Sequence, residues 1–258
     1  MKSHLRTLSL LALSLLSALP ASATSVVCIR TADSIVIAAD SRLAIRGADN
    51  PGKERKECKI IQAGGMFFSM TGFIKDPARP YDAAHIVAEA LERPAAPLTR
   101  EGAVTATVAA GLRDELAQLR AEAPELYNRY MRDQKGTLLK VLLAGFEGDT
   151  PQAVLFGFRH SVTPLGEITV TTERESCPGN CDPQGAYIFI MGERRPIDAY
   201  LKNNKADLAT LDTFAKSLVE LVIDAHTPDV GPPVDVLRID RDGAGWIEKK
   251  AECPDIVE

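Results

Sequence analysis

From Thr24 onward the order of apolar and polar positions changes period several times, and each change marks an element. Val26 to Arg30 and Ile35 to Ala39 are nearly all apolar and flank the polar Thr31-Ala-Asp-Ser34. That pattern predicts a hairpin whose second strand is covered on both faces. A polar loop, Arg46-Gly-Ala-Asp-Asn-Pro-Gly-Lys53, leads to a second strand pair, Cys58 to Ala63 and Met66 to Met70, joined at Gly64-Gly65. Helical spacing then takes over in Tyr81 to Arg93 and in a longer segment from about Thr99, which Pro124 kinks or interrupts. Strand patterns return at Leu138 to Phe146, Ala153 to Phe158, Ile168 to Thr171 and Ala186 to Met191. A short helix near Pro196 to Leu201 and an amphipathic one from Leu208 to Ala225 precede two last strands, Val234 to Ile239 and Trp246 to Lys249. Runs of strands broken by paired helices argue for packed layers rather than alternating βαβ units. Without a repeat or linker, residues 24–258 read as one domain.

Residues 1–23 follow a different logic. Lys2 and Arg6 precede an apolar run, Leu8 to Leu19, and Pro20-Ala-Ser-Ala23 ends it with small residues. This is the layout of a secretory signal peptide cleaved after Ala23, with an uncleaved anchor as the alternative. The apolar run is shorter than the roughly 20 residues that span a bilayer. The expectation is an exported protein, periplasmic or secreted, with no integral span after processing. The formal charge is −5, the basic residues are scattered and the aromatics few, so a nucleic-acid partner is not expected.

Export permits disulfides, and Cys177-Pro-Gly-Asn-Cys181 can close a small turn between two apolar strands. Cys58 and Cys253 are a second candidate pair, and Cys28, inside an apolar strand, reads as a reduced core residue. The spacing does not fit a four-cysteine zinc site, no histidine pair supplies ligands, and no cofactor is implied.

Cleavage after Ala23 would make Thr24 the first residue. A hydroxyl is a poor nucleophile until a base takes its proton, and a terminal α-amine, unlike a lysine amine, is substantially neutral near pH 7. A threonine that begins a chain therefore carries nucleophile and base together. Around it stand Thr24-Ser-Val-Val-Cys-Ile-Arg30, Ile35-Val-Ile-Ala-Ala-Asp-Ser-Arg42, Lys59-Ile-Ile61 and Phe67-Phe-Ser-Met-Thr-Gly72. This ordered set resembles the opening of proteasome β-subunits and bacterial proteasome-like proteases, which are N-terminal-nucleophile (Ntn) hydrolases.

The resemblance implies an α+β fold, a four-layer αββα sandwich, and assigns roles by position. Thr24 matches the nucleophile, Asp40 and Lys59 the buried ion pair beside it, and the N–H of Gly72 the oxyanion-hole donor. Asp-Ser-Arg at a strand end also serves as a plain turn, and Lys53 and Lys56 compete with Lys59; the apolar run starting directly after Lys59 favours it. Leu43, Ile61, Met70 and Ile74 match positions that line the family's specificity pocket and imply apolar side chains before the cut.

Beyond residue 72 the resemblance is topological. Ile188-Phe-Ile-Met-Gly192 matches the strand before the family's supporting serine, but Glu193 follows here. Asp229-Val-Gly-Pro-Pro-Val-Asp235 lies where the family has an aspartate, a serine and a glycine pair; Asp229 takes the aspartate's place only with a short gap, and the serine is missing.

The implied activity is amide hydrolysis through a threonyl ester, on short or already unfolded polypeptides, because an exported protein has no ATP-driven unfoldase. A homo-oligomer, in the family a ring, is implied as well. Two other readings are a small-molecule amidase of the same fold and an inactive periplasmic binding or scaffold protein. The histidines contribute nothing specific, and no Gly-x-Ser-x-Gly elbow is present. Exported from its full precursor, the protein is expected to carry Thr24 as its first residue on N-terminal sequencing; a different first residue with hydrolase activity intact would refute this assignment.

Overall fold

The computed structural model describes residues 24–43, 55–76, 78–93, 97–133, 137–204, 208–227 and 230–257. Residues 1–23, expected above to be a leader, the polar segment around Lys53, and Asp229 lie outside the described residues.

The first hairpin forms as its pattern predicts, from β1 (Ser25–Arg30) and β2 (Ser34–Asp40), and every residue of both strands is buried. Two short strands follow, β3 (Arg42–Leu43) and β4 (Arg55–Lys56), then β5 (Ile61–Ala63) and β6 (Met66–Gly72). The expected strand from Cys58 pairs only from Ile61, since Cys58 is drawn into a disulfide with Cys253. Helices α1 (Ala83–Glu92), α2 (Pro97–Glu122) and α3 (Pro124–Asp133) come next. Asp82 caps α1 by accepting from the N–H groups of Ala84 and His85. Pro124 begins a new helix, at the position where a missing N–H costs least.

Strands β7 (Thr137–Glu147), β8 (Thr150–Val162) and β9 (Ile168–Cys177) form a meander, followed by β10 (Tyr187–Gly192). The polar Thr172-Glu-Arg-Glu-Ser176 hides the second half of β9 from a pattern reading, yet its ladder with β8 runs on to Cys177. Helices α4 (Arg195–Asn203) and α5 (Leu211–Asp224) precede β11 (Val234–Asp240) and β12 (Gly243–Glu248).

These elements make a mixed α+β structure with two antiparallel five-stranded sheets, in the orders β10-β1-β2-β11-β12 and β5-β6-β7-β8-β9. Residues from both sheets share one core, in which Val26, Cys28, Ile37 and Met191 meet Phe67, Leu142, Ala144 and Leu155. A second core joins the first sheet to α5 through Phe214, Leu218 and Val222, and a third joins the other sheet to α1 and α2 through Val87, Leu91, Val104 and Val108. The helical residues in each recur at three- and four-residue spacing, which places them on one stripe. Both candidate disulfides are present, Cys58–Cys253 and Cys177–Cys181, and Cys28 is a buried free thiol. No helix among the described residues is long and apolar enough to cross a membrane.

The connection from β6 to α1 is tied down by buried charge. Asp76 accepts from Arg79 Nη1 at 2.5 Å, and the same guanidinium reaches Glu115 of α2 at 3.4 Å. Desolvation first, and then the neighbouring Asp76, push the Glu115 carboxyl from its ordinary 4.5 up to about 7, against the pull of Arg79. A folded-state value above the unfolded one means that the folded protein binds the extra proton. The resulting stabilisation is full below about 4.5 and lost as pH rises through about 7. Urea midpoints are therefore expected to fall between about pH 5 and about pH 8, and Glu115→Gln to flatten that slope. An equally steep slope in the variant would assign it to other groups.

Candidate active site

Thr24 stands immediately before β1, only 3% exposed, with Asp40 at the end of the neighbouring strand β2. Antiparallel pairing brings the start of one strand beside the end of the next, so the hairpin places these two residues together. The Asp40 carboxylate has no solvent exposure. One oxygen accepts from the Ser25 N–H at 2.9 Å and from Lys59 Nζ at 2.8 Å; the other accepts from the N–H groups of Arg42 and Gly231, each at 3.2 Å. Four donors saturate a carboxylate.

Lys59 Nζ bridges this carboxylate to Thr24, donating to Thr24 Oγ1 at 3.4 Å. Burial pushes the proton affinity of Lys59 down, and Asp40 pulls it back up through charge and a hydrogen bond, with a smaller contribution from Glu57. The Lys59 backbone is held from the opposite side, where Ser69 Oγ of β6 donates to its carbonyl at 2.7 Å. Of the competing lysines, Lys56 is exposed on β4 and Lys53 lies outside the described residues.

Gly72 ends β6 at φ +108°, and a Cβ there would lie 2.1 Å from the Leu138 carbonyl oxygen, so only glycine fits. The N–H of Phe73 donates to Leu138 at 2.7 Å, and ladder alternation then turns the Gly72 N–H away from β7. On that side β5 has already ended, at Ile61 opposite Phe68.

A second glycine closes the site from β10. Gly192 adopts φ +80°, and a Cβ on it would lie 1.6 Å from the Thr24 carbonyl oxygen. That oxygen accepts from the N–H of Glu193 at 3.0 Å. The Glu193 side chain turns the other way, pairing with Arg195 at 2.8 Å, so the residue standing where a supporting serine was expected meets Thr24 through its backbone.

The inter-sheet face grades from apolar to polar toward this end. Across the second sheet, Phe67, Ala144, Ala153 and Cys177 form an apolar row within the shared core. Two rows nearer Gly72 the same face carries Thr71, Lys140, Gly157 and Glu173. Burial lowers the proton affinity of Lys140, and so does Arg194, the residue after Glu193. The inter-sheet face thus turns polar on the Gly72 side, with apolar side chains behind it. Of the expected specificity positions, Met70 is buried among α1 and α2 side chains, with Ile61 and Ile74 partly buried against the same cluster; Leu43's side chain lies outside the described residues.

One group of functional character escaped the sequence reading. Directly after Asp40, Ser41 Oγ accepts from Lys250 Nζ at 2.8 Å and donates to Asp235 Oδ2 at 3.2 Å, and Lys250 pairs with the same carboxylate. All three are buried. Lys250 carried no signal, because 209 residues separate it from Ser41. Asp235 also lies near the sulfurs of Cys58 and Cys253, but these are bridged to each other and Asp235 is engaged by Lys250, a poor set for a metal. A groove of 440 Å³ between α2 and β8–β9, rimmed by Glu101 and Arg174, is remote from all of this.

No family model matches the chain, and no curated protein matches its sequence. Among solved structures, one match is described as an "Anbu (Gly-1) mutant from Hyphomicrobium sp. strain MC1"; identity is 18%, covering 88% of this chain and 86% of that one, with a TM-score of 0.47. So loose a superposition between chains so divergent supplies no assignment of chemistry, which rests on the distances above.

The two partners in the ion pair are not equivalent. Removing Lys59 leaves Asp40 three backbone donors, whereas removing Asp40 strands a buried ammonium and those same donors. Asp40→Ala is therefore expected to cost about 3–5 kcal/mol in urea denaturation and Lys59→Met clearly less. A larger loss for Lys59→Met would overturn this ordering.

Proposed function

We propose that the chain is an exported N-terminal-threonine hydrolase of the proteasome type, a four-layer αββα sandwich that cleaves amide bonds, chiefly in peptides. One observation carries the reading: Thr24 Oγ1, Lys59 Nζ and Asp40 Oδ1 form a chain of contacts, at 3.4 and 2.8 Å, at the start of the first strand of the domain. Removal of the leader after Ala23 gives Thr24 a free α-amine. That amine takes the Oγ1 proton as the oxygen attacks the substrate carbonyl carbon. Lys59, as an ammonium, favours the neutral amine and the developing alkoxide, while Asp40 offsets the cost of burying it.

The Gly72 N–H, free of the ladder, is assigned to the oxyanion of the tetrahedral intermediate. Collapse of that intermediate breaks the C–N bond, and the α-amine returns its proton to the leaving nitrogen. Water, deprotonated by the same amine, then hydrolyses the threonyl ester. The Glu193 N–H and Gly192 fix the Thr24 carbonyl, so the nucleophile is oriented by backbone. The ion pair of Glu193 with Arg195 counts against a merely binding role, since it keeps the carboxylate off the nucleophile. Substrates are short or unfolded, and self-association belongs to the same proposal.

Three precursors test it: native, one with an alanine inserted between Ala23 and Thr24, and Thr24→Ala. The native protein is expected to gain the mass of one epoxyketone on Thr24 and to cleave peptide or acyl-amide panels. Thr24→Ala should be folded and slower by at least about 10³-fold. The insertion variant should be exported and inert, its amine displaced from the hydroxyl. Full activity in Thr24→Ala would sink the proposal.

A further inference from the structure

Behind the Lys59–Asp40 pair lies a second buried lysine and aspartate, and the two pairs share a backbone. Asp40 and Ser41 are consecutive: Asp40 faces Lys59, and Ser41 faces Lys250 and Asp235. Gly231 joins them, since its N–H donates to Asp40 at 3.2 Å and its carbonyl accepts from the Ser41 N–H at 3.1 Å. The Ser41 carbonyl in turn accepts from the Glu57 N–H at 3.0 Å, two residues before Lys59. Asp235 is completed by the backbone N–H of Lys250 at 2.9 Å. Lys250 has no regular element to hold it, for β12 ends at Glu248. Its anchor is covalent: the Cys253 N–H donates to the Lys250 carbonyl at 3.2 Å, and Cys253 is bridged to Cys58, the residue before Lys59.

We infer that Lys250 is a positioning residue for the Thr24 site: fixed by the Cys58–Cys253 disulfide, it clamps Ser41 and Asp235 and so holds Asp40 and Lys59 facing Thr24. The inference rests on the hydrolase reading above for its consequence in rate, but not for its geometry. Two linked buried pairs cost more desolvation than one, and an isolated pair is no source of stability. What the second pair supplies is orientation: Ser41 cannot turn without taking a hydrogen-bond partner from both a buried ammonium and a buried carboxylate. The positive charge of Lys250 also lowers the proton affinity of Lys59, against the opposite influence of Asp40 and Glu57. The disulfide fixes one end of the clamp to the lysine it serves.

The test follows the Lys59 side-chain nitrogen directly by NMR in the mature protein, in Lys250→Met, and in the charge-free double variant Asp235→Asn/Lys250→Met, which folds without a stranded ion. A third variant, Cys58→Ser/Cys253→Ser, releases the anchor. In Lys250→Met the Lys59 titration is expected to move upward, and its Nζ resonance to shift in all three. On whichever peptide or amide the protein cleaves, kcat should drop by about tenfold or more with KM within about twofold, the mark of misaligned machinery rather than lost binding. The NMR arm reads out even if no hydrolysis is found, so failure of the hydrolase reading leaves this one open to judgement. Folded variants whose Lys59 resonance and titration match the parent would overturn the inference, as would an unchanged kcat in an active protein.

Discussion

A carboxylate with no contact with water must have its lone pairs filled by donors from the protein, or its burial is strongly unfavourable. Asp40 is such a group, and much of the architecture around it reads as the means of meeting that condition. One donor comes from β1, one from its own strand's exit, one from the approach to β11 and one from Lys59. The constraint therefore fixes the relative position of segments that are far apart in the chain. Thr24 inherits its place from this, because the residue following it, Ser25, donates to the same oxygen that holds the lysine.

The charge arithmetic favours a site over a scaffold. Buried ion pairs are poor sources of stability, and apolar replacements of similar volume often do as well or better. Here two such pairs stand back to back at the end of a hairpin whose strands are mostly apolar. The surrounding cores could have absorbed that volume with aliphatic side chains. Charge held beside a hydroxyl in this way is what the proposed hydrolase would require.

Much of this was legible in the chain. The period changes located most of the elements, β1, β2, β6, β7 and α5 among them, because the apolar positions that define each pattern are the ones buried. Thr24, Asp40, Lys59 and Gly72 lie within one stretch of sequence, and the first hairpin together with the Lys59 side chain brings the first three into contact. What escaped was long-range or made by backbone. Lys250 sits in an irregular segment with no periodicity to mark it, and its contact with Ser41 spans 209 residues. The Gly231 N–H carries no side-chain signature at all, and Glu193 looked like a departure because its side chain was counted while its amide does the holding. The second half of β9 was lost to its polar composition, which suits an exposed strand at the sheet's edge.

The tail after β12 also bears on how the protein should be handled. Gln62 of β5 grips the backbone of Val257 through both of its amide atoms, at 2.7 and 2.9 Å, and Trp246 Nε1 donates to Pro254 at 3.1 Å. The segment up to Val257 is thus wired into the strand that follows Lys59, while in the hydrolase proposed above the Thr24 amine would take part in the chemistry. A tag or fluorophore joined just before Thr24 would, on the proposed mechanism, block its amine, and one joined just after Val257 would pull on a segment already under restraint. The turn between β8 and β9 offers a better handle. Leu165 there is 88% exposed, and it is joined to the rest of the molecule by two long strands rather than by the chemistry.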